Sequence, residues 1–140
     1  SEEKPAFVGN LNVLAGGREL YDALEENGRV ATQGIYFDSG SDKIRPESTP
    51  TLVEIADMLK EHPDLDLLIE GHTDNVGDAK YNEQLGMERA EAVKRYLYEQ
   101  HQVPLHKMNT ISYGEEKPAA DNKTRDARAQ NRRVVIKVLA

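Results

Sequence analysis

Residues 48–77 read STPTLVEIADMLKEHPDLDLLIEGHTDNVG, and three changes of pattern inside that stretch decide the fold. Ser48 or Thr49 can cap a helix, Pro50 suits its first turn, and Leu52, Ile55, Ala56 and Leu59 recur at the i, i+3, i+4, i+7 spacing of a buried stripe. His62-Pro63 stops the helix, because a residue ahead of proline is pushed out of the helical region. Leu65, Leu67 and Ile69 then alternate with Asp66, Leu68 and Glu70, which predicts a strand covered on one face. That strand runs into His72, Thr73, Asp74 and Asn75, between Gly71 and Gly77, where ordinary turn chemistry needs only one or two polar residues.

Upstream, Arg29 to Phe37 favours a strand with Ile35 and Phe37 on one face, ending in the turn-forming Asp38-Ser39-Gly40-Ser41. Strand, helix and strand so close together predict a crossover unit with parallel pairing. Earlier still, Phe7 to Leu14 reads as a strand, and Arg18 to Asn27 as a short helix with Leu20 and Leu24 four apart and Gly28 as its cap.

Downstream, a longer helix is expected from about Tyr81 to Gln100, with Leu85, Val93, Tyr96 and Leu97 inward and Glu83, Glu88, Glu91, Lys94 and Arg95 outward. Arg89 breaks the pattern, since it shares a side with Leu85, Val93 and Asn82. An arginine on such a stripe must snorkel or find an anion. Strands follow over Asn109 to Tyr113 and Arg133 to Leu139, the latter with Val134, Ile136 and Val138 on one face, and a short helix fits after Thr124. No internal repeat or low-complexity segment interrupts the chain.

Composition narrows the function. At 140 residues, one domain with one core is the default. The 18 basic and 25 acidic residues leave a net charge of −7, which repels a phosphate backbone, and the basic cluster from Lys123 to Lys137 is local rather than a nucleic-acid groove. Without cysteine there is no thiolate catalysis, zinc ribbon or disulfide framework. The longest aliphatic run, Leu67-Leu68-Ile69, is far short of the roughly 20 apolar residues of a membrane helix, so no membrane-spanning segment is expected. The start at Ser1, without a charged and apolar leader, is expected of a processed form or a piece of something longer.

The expected architecture is an α/β sandwich: a mixed sheet, two main helices on one face, and a polar loop at the carboxyl end of the second strand. Ligands in such sheets sit outside those strand ends. Asp38 and Asp74 both lie there, and Asn82 and Arg89 approach from the helix, so the polar loop reads as half of a binding site.

The stretches GHTDNVG, YNEQLGMERAEAV, YGEEKPAADN and RAQNRRV resemble, in order and spacing, the motifs of the OmpA-like peptidoglycan-binding family, from about Gly34 to Ala140. The resemblance implies two segments, a 34–140 binding domain and a 1–33 extension, and a fold of one mixed four-stranded sheet with two main helices. It implies non-covalent binding of the peptidoglycan stem peptide through meso-diaminopimelate, anchoring the outer membrane or an envelope complex to the cell wall. It also implies a periplasmic location with an outer-membrane tether in the full-length protein, and envelope proteins as further partners. On the matching positions, Asp74 contacts the ligand and Arg89 pairs with its carboxylate; Asp38, Thr73, Asn82 and Arg132 make further contacts. Loss of Asp74 or Arg89 is then expected to cost about 2–5 kcal/mol in binding, with the fold intact. One departure is Leu85-Gly86 where the family usually has a serine after the leucine, so a hydroxyl contact is lost or the turn loosened.

Simpler roles compete for each residue. Asp74 can cap the second helix or make an Asx turn, Arg89 can pair with Asp74 and nothing more, and Arg132 or Arg133 can brace the loop as Arg128 does. His72 reads as a hydrogen-bonded strand-end residue; His62, His101 and His106 read as solvated. His72 and Asp74 share a strand face without a third ligand, which disfavours a metal, and no cofactor is expected. Asp38 and Asp74 beside arginines lack a proton donor for glycan hydrolysis, so an enzyme is not expected. An envelope protein-interaction module remains the other reading.

Overall fold

The computed structural model describes the backbone of residues 29–31 and the whole of residues 34–139. The strand expected over Phe7 to Leu14 and the helix over Arg18 to Asn27 lie outside the described residues. Those described run β1 (Arg29–Ala31), β2 (Ile35–Tyr36), α1 (Thr49–Glu61), β3 (Asp66–His72), α2 (Ala79–His101), β4 (Met108–Gly114), α3 (Arg125–Asn131) and β5 (Arg133–Leu139). Short 3-10 turns at Pro46–Ser48 and Leu105–Lys107 lead into α1 and β4.

The sheet is mixed. β1 and β2 both pair antiparallel with β5, β5 pairs antiparallel with β3, and β3 pairs parallel with β4. Because β1 and β2 lie along the same edge of β5, they act as one interrupted strand, and the sheet has four tracks. The single strand expected over Arg29 to Phe37 is thus described as two pieces, β1 and β2, along the same strand β5. The crossover also differs from expectation: β2 and β3 point the same way, but β5 is inserted between them. A final strand entering antiparallel to both satisfies the hydrogen bonds of each.

One face of the sheet is built from Leu67, Ile69 and Gly71 of β3, opposite Val138, Ile136 and Val134 of β5. Both main helices pack there. Leu52, Ile55, Ala56 and Leu59 of α1 join Ala90, Val93 and Leu97 of α2, together with Ile35 and Phe37, in one core. Each fully buried aliphatic side chain of this kind stabilises the fold by about 1.5–3 kcal/mol.

The helix starts explain two small differences from the sequence reading. Ser48 precedes α1 but makes no side-chain cap bond, because it already has helical angles (φ −86°, ψ −9°) inherited from the 3-10 turn. α2 begins at Ala79 instead of Tyr81, since Asp78 caps it by accepting from the Lys80 and Tyr81 amides. A third contact fixes where α2 lies: a Cβ on Gly71 would collide with the Gly86 carbonyl oxygen, so helix and strand meet backbone to backbone. The space beside Gly86 is filled. The Ser112 hydroxyl of β4 occupies the space a Gly86 side chain would need and donates to the Glu83 carbonyl at 2.7 Å.

Candidate functional site

The carboxyl ends of β2 and β3, the start of β5 and the first turns of α2 meet at one end of the sheet. β3 pairs beyond its last regular residue, with Thr73 donating its amide to the Gly114 carbonyl at 2.8 Å. That holds the 73–77 loop close to α2. Asp74, buried at 6% exposure, accepts from the Val76 amide on Oδ1 at 3.0 Å and from Arg132 Nη1 on Oδ2 at 3.2 Å. The first bond is an Asx turn, while the helix cap belongs to Asp78.

Arg89 has no exposed surface. Its Nε donates to the Ser41 carbonyl at 2.7 Å, Nη1 to the His72 carbonyl at 3.0 Å and Nη2 to the Asp38 carbonyl at 3.0 Å. Its guanidinium also lies 5.2 Å from the centre of the Phe37 ring. Arg89 therefore ties the end of β3 to the turn that follows β2. Burial pulls its pKa down to about 10, the Asp74 charge opposes that shift and the Arg132 charge adds to it, so the group is still cationic at neutral pH. A simple Arg89–Asp74 ion pair is not what satisfies this arginine: it serves three main-chain carbonyls, of which that of His72 is buried.

Arg132, not Arg133, faces the site. Its Nε donates to the Phe37 carbonyl at 3.0 Å as Nη1 reaches Asp74, and among the described residues Nη2 makes no bond. Strand alternation turns Arg133 to the opposite side, where Nη2 donates to the Lys117 carbonyl at 3.1 Å. Arg128 braces its own loop through the Asn122 carbonyl, as expected. The Thr73 hydroxyl donates to the Asp74 carbonyl at 2.8 Å. Asp38 keeps a carboxylate 77% exposed, 3.9 Å from Arg45 Nη1.

Asp74, Arg89 and Arg132 are thus one cluster, with Thr73 and Asp38 at its border. Asn82 stands apart: its amide donates to Glu115 Oε1 at 2.8 Å, in the loop after β4. Glu115 and the Ser41 carbonyl are the participants the sequence reading missed. The signal for Glu115 was present, since it follows β4 as Asp74 follows β3. Ser41 contributes only a main-chain oxygen, which its residue type does not reveal.

His72 departs from expectation. Its carbonyl serves Arg89, but its ring lies on the far face of the sheet, stacked on Tyr113 at 5.5 Å, and neither ring nitrogen has a hydrogen-bond partner among the described residues. Burial and the Arg133 charge lower its pKa from 6.5 to about 4 despite Glu70, whose Oε1 lies 3.6 Å from Nε2. Glu70 is itself paired with Lys137 at 2.9 Å. Among the described residues no group of three or more acidic, histidine or cysteine side chains is placed to hold a metal, and no helix is long and apolar enough to cross a membrane.

The cluster therefore sets two guanidiniums against one buried carboxylate, beside an exposed second carboxylate, at the end of a sheet. It is suited to a ligand carrying both a carboxylate and an ammonium. The model of the OmpA family matches residues 36–132. Outer membrane protein Omp38 of Acinetobacter baumannii is 39% identical over 100 residues, which is 71% of this chain and 28% of that protein. The peptidoglycan-associated lipoprotein of Agrobacterium fabrum is 42% identical over 131 residues, 94% of this chain and 73% of its own length. Among solved structures, the peptidoglycan-associated lipoprotein of Burkholderia pseudomallei superposes with a TM-score of 0.73 at 37% identity, covering 76% of this chain and 90% of that one.

Proposed function

This chain belongs to the OmpA family, and from that premise we propose that it binds peptidoglycan without covalent chemistry, through the meso-diaminopimelate of the stem peptide. The observation that carries the reading is the unbalanced cluster at the sheet end, where Arg89 and Arg132 outnumber the buried carboxylate of Asp74. A ligand carboxylate restores the balance by meeting the unbonded Nη2 of Arg132, while the fully buried Arg89 contributes its positive charge to the cluster from within the fold. The ligand ammonium goes to Asp74, whose oxygens each keep a second acceptor direction, and to the exposed carboxylate of Asp38. Thr73 holds the Asp74 backbone, and Asn82 orders the opposite wall through Glu115. Each charge-assisted bond contributes about 1.5–3 kcal/mol, and the repeated stems of a wall polymer add avidity to a modest single-site affinity.

In this reading the binding unit spans residues 34–140, with 1–33 as an extension. The chain acts as an anchor and not as an enzyme, in the periplasm, joined to the outer membrane or to an envelope complex by parts of the full-length protein; a peptidoglycan-associated lipoprotein is the kind of relative that supports this. Isothermal titration with free meso-diaminopimelate, together with pelleting on purified sacculi, tests the reading. Wild type is expected to bind both and Asp74→Asn neither. Equal pelleting of wild type and Asp74→Asn moves the site elsewhere, and release of soluble fragments from the sacculi would make the protein a hydrolase.

A further inference from the structure

Beside β2 lies a cleft of about 390 Å³ that the cluster around Asp74 does not use. The Tyr36 ring lies in it, set so closely over Gly34 that a Cβ there would come within 3.1 Å of the ring. Ser48 and Thr51 line it from the start of α1, and Ala129 and Gln130 from α3. The two charged residues of its lining cancel each other, since Arg45 Nη2 donates to Glu47 Oε2 at 2.9 Å. What remains is an aromatic face with hydroxyl and amide groups and no net charge. Such a lining rejects a phosphate or a bare ammonium, which need an unopposed counter-charge, and suits a neutral ligand that has hydroxyls, an amide and one apolar face.

We propose that this cleft is a saccharide subsite, taking an N-acetylated hexosamine of the glycan strand whose stem peptide occupies the Asp74 site; it rests on the function proposed above. Tyr36 is 37% exposed and presents its ring to the C–H face of the sugar. Ser48, Thr51 and Gln130 meet its hydroxyl and acetamido groups. The volume lies within the range of about 300–1,000 Å³ usual for small-molecule sites. The two sites share a border, because Arg45 Nη1 is 3.9 Å from the Asp38 carboxylate. Sugar and stem are joined covalently in the polymer, so occupation of one site raises the effective concentration at the other.

The test titrates the whole chain with two probes: a diaminopimelate-containing stem tripeptide, and the same tripeptide carrying its disaccharide. Wild type is expected to bind the disaccharide form about fivefold tighter, equivalent to roughly 1 kcal/mol. Tyr36→Ala, and separately Ala129→Arg, which drives a long side chain into the cleft from α3, should each remove that gain and leave the affinity for the bare tripeptide unchanged. Thermal melting checks that both variants fold, and if Tyr36→Ala does not, Ala129→Arg carries the test. Equal affinity of wild type for the two probes, or a gain that survives Ala129→Arg, overturns the saccharide subsite while the peptide reading stands. Failure of both probes to bind wild type overturns the peptide reading and the subsite with it.

Discussion

Replacing Arg89 by alanine should damage the fold before it reveals anything about binding. The side chain donates from all three guanidinium nitrogens to main-chain carbonyls of Asp38, Ser41 and His72, at 2.7 to 3.0 Å and without exposure to solvent. Hydrogen bonds from a charged donor contribute about 1.5–3 kcal/mol each, and a buried acceptor left unpaired costs about 1–3 kcal/mol. Part of this is offset, because alanine no longer has to keep a guanidinium away from water and solvent can enter the space. A net loss of about 3–5 kcal/mol is expected, against a total stability of about 5–15 kcal/mol for a domain. Arg89→Lys should lose roughly half as much, about 2 kcal/mol, since one ammonium cannot reproduce a planar fork directed at three oxygens. Urea denaturation followed by circular dichroism measures both, with the slope m checked for constancy. An Arg89→Ala protein within about 1 kcal/mol of wild type at unchanged m would refute the role assigned to those three bonds.

Asp74→Asn should keep the fold and, through its single amide oxygen, the Asx turn, with a lowered melting temperature for the lost Arg132 pair, while losing about 2–5 kcal/mol of affinity for diaminopimelate by titration. His72 should make the fold acid-sensitive: its pKa is about 4 folded and 6.5 in the reference state, so the unfolded chain takes up the proton first as pH falls through that window. The penalty is absent above about pH 6.5 and reaches at most roughly 3 kcal/mol near pH 4, and a smaller loss of stability between pH 7.5 and 5 in His72→Phe than in wild type would identify it. Gly71→Ala should destabilise by about 2 kcal/mol or more in the same assay, because its Cβ has only the Gly86 carbonyl to displace. Asn131→Ala should cost about 2–4 kcal/mol, as the fully buried amide accepts from the Ala119 and Ala120 amides and donates to the Ala120 carbonyl and Asn122 Oδ1; a melting temperature equal to wild type would contradict this.

Periodicity made the helices and the inner face of the sheet legible. Leu52, Ile55, Ala56 and Leu59 pack where their spacing placed them, as do Val134, Ile136 and Val138, since apolar repeats report directly on which face is covered. Strand order was less legible: nothing local to β2 or β3 states that β5 lies between them, because neighbour choice in a sheet is a long-range property. Residue type placed Asp74 and Arg89 at one end of the sheet, but could not tell that the arginine would be held by carbonyl oxygens. Backbone acceptors are common to every residue, so no side-chain pattern announces them. The strand over Leu65 to Glu70 was expected to be covered on one face only, whereas Glu70 and His72 on its other side are both less than 5% exposed.

The close approach of α2 to β3 and β4 has a consequence for how this protein and its relatives can exchange parts. A serine at position 86, as the family resemblance implies is usual, needs the room that the Ser112 hydroxyl fills in this chain. The two positions therefore compete for one volume, and a side chain at residue 86 displaces the Ser112 hydroxyl from its bond to the Glu83 carbonyl unless residue 112 becomes smaller. A chimera that borrows the long helix from a serine-bearing relative should accordingly borrow its fourth strand as well.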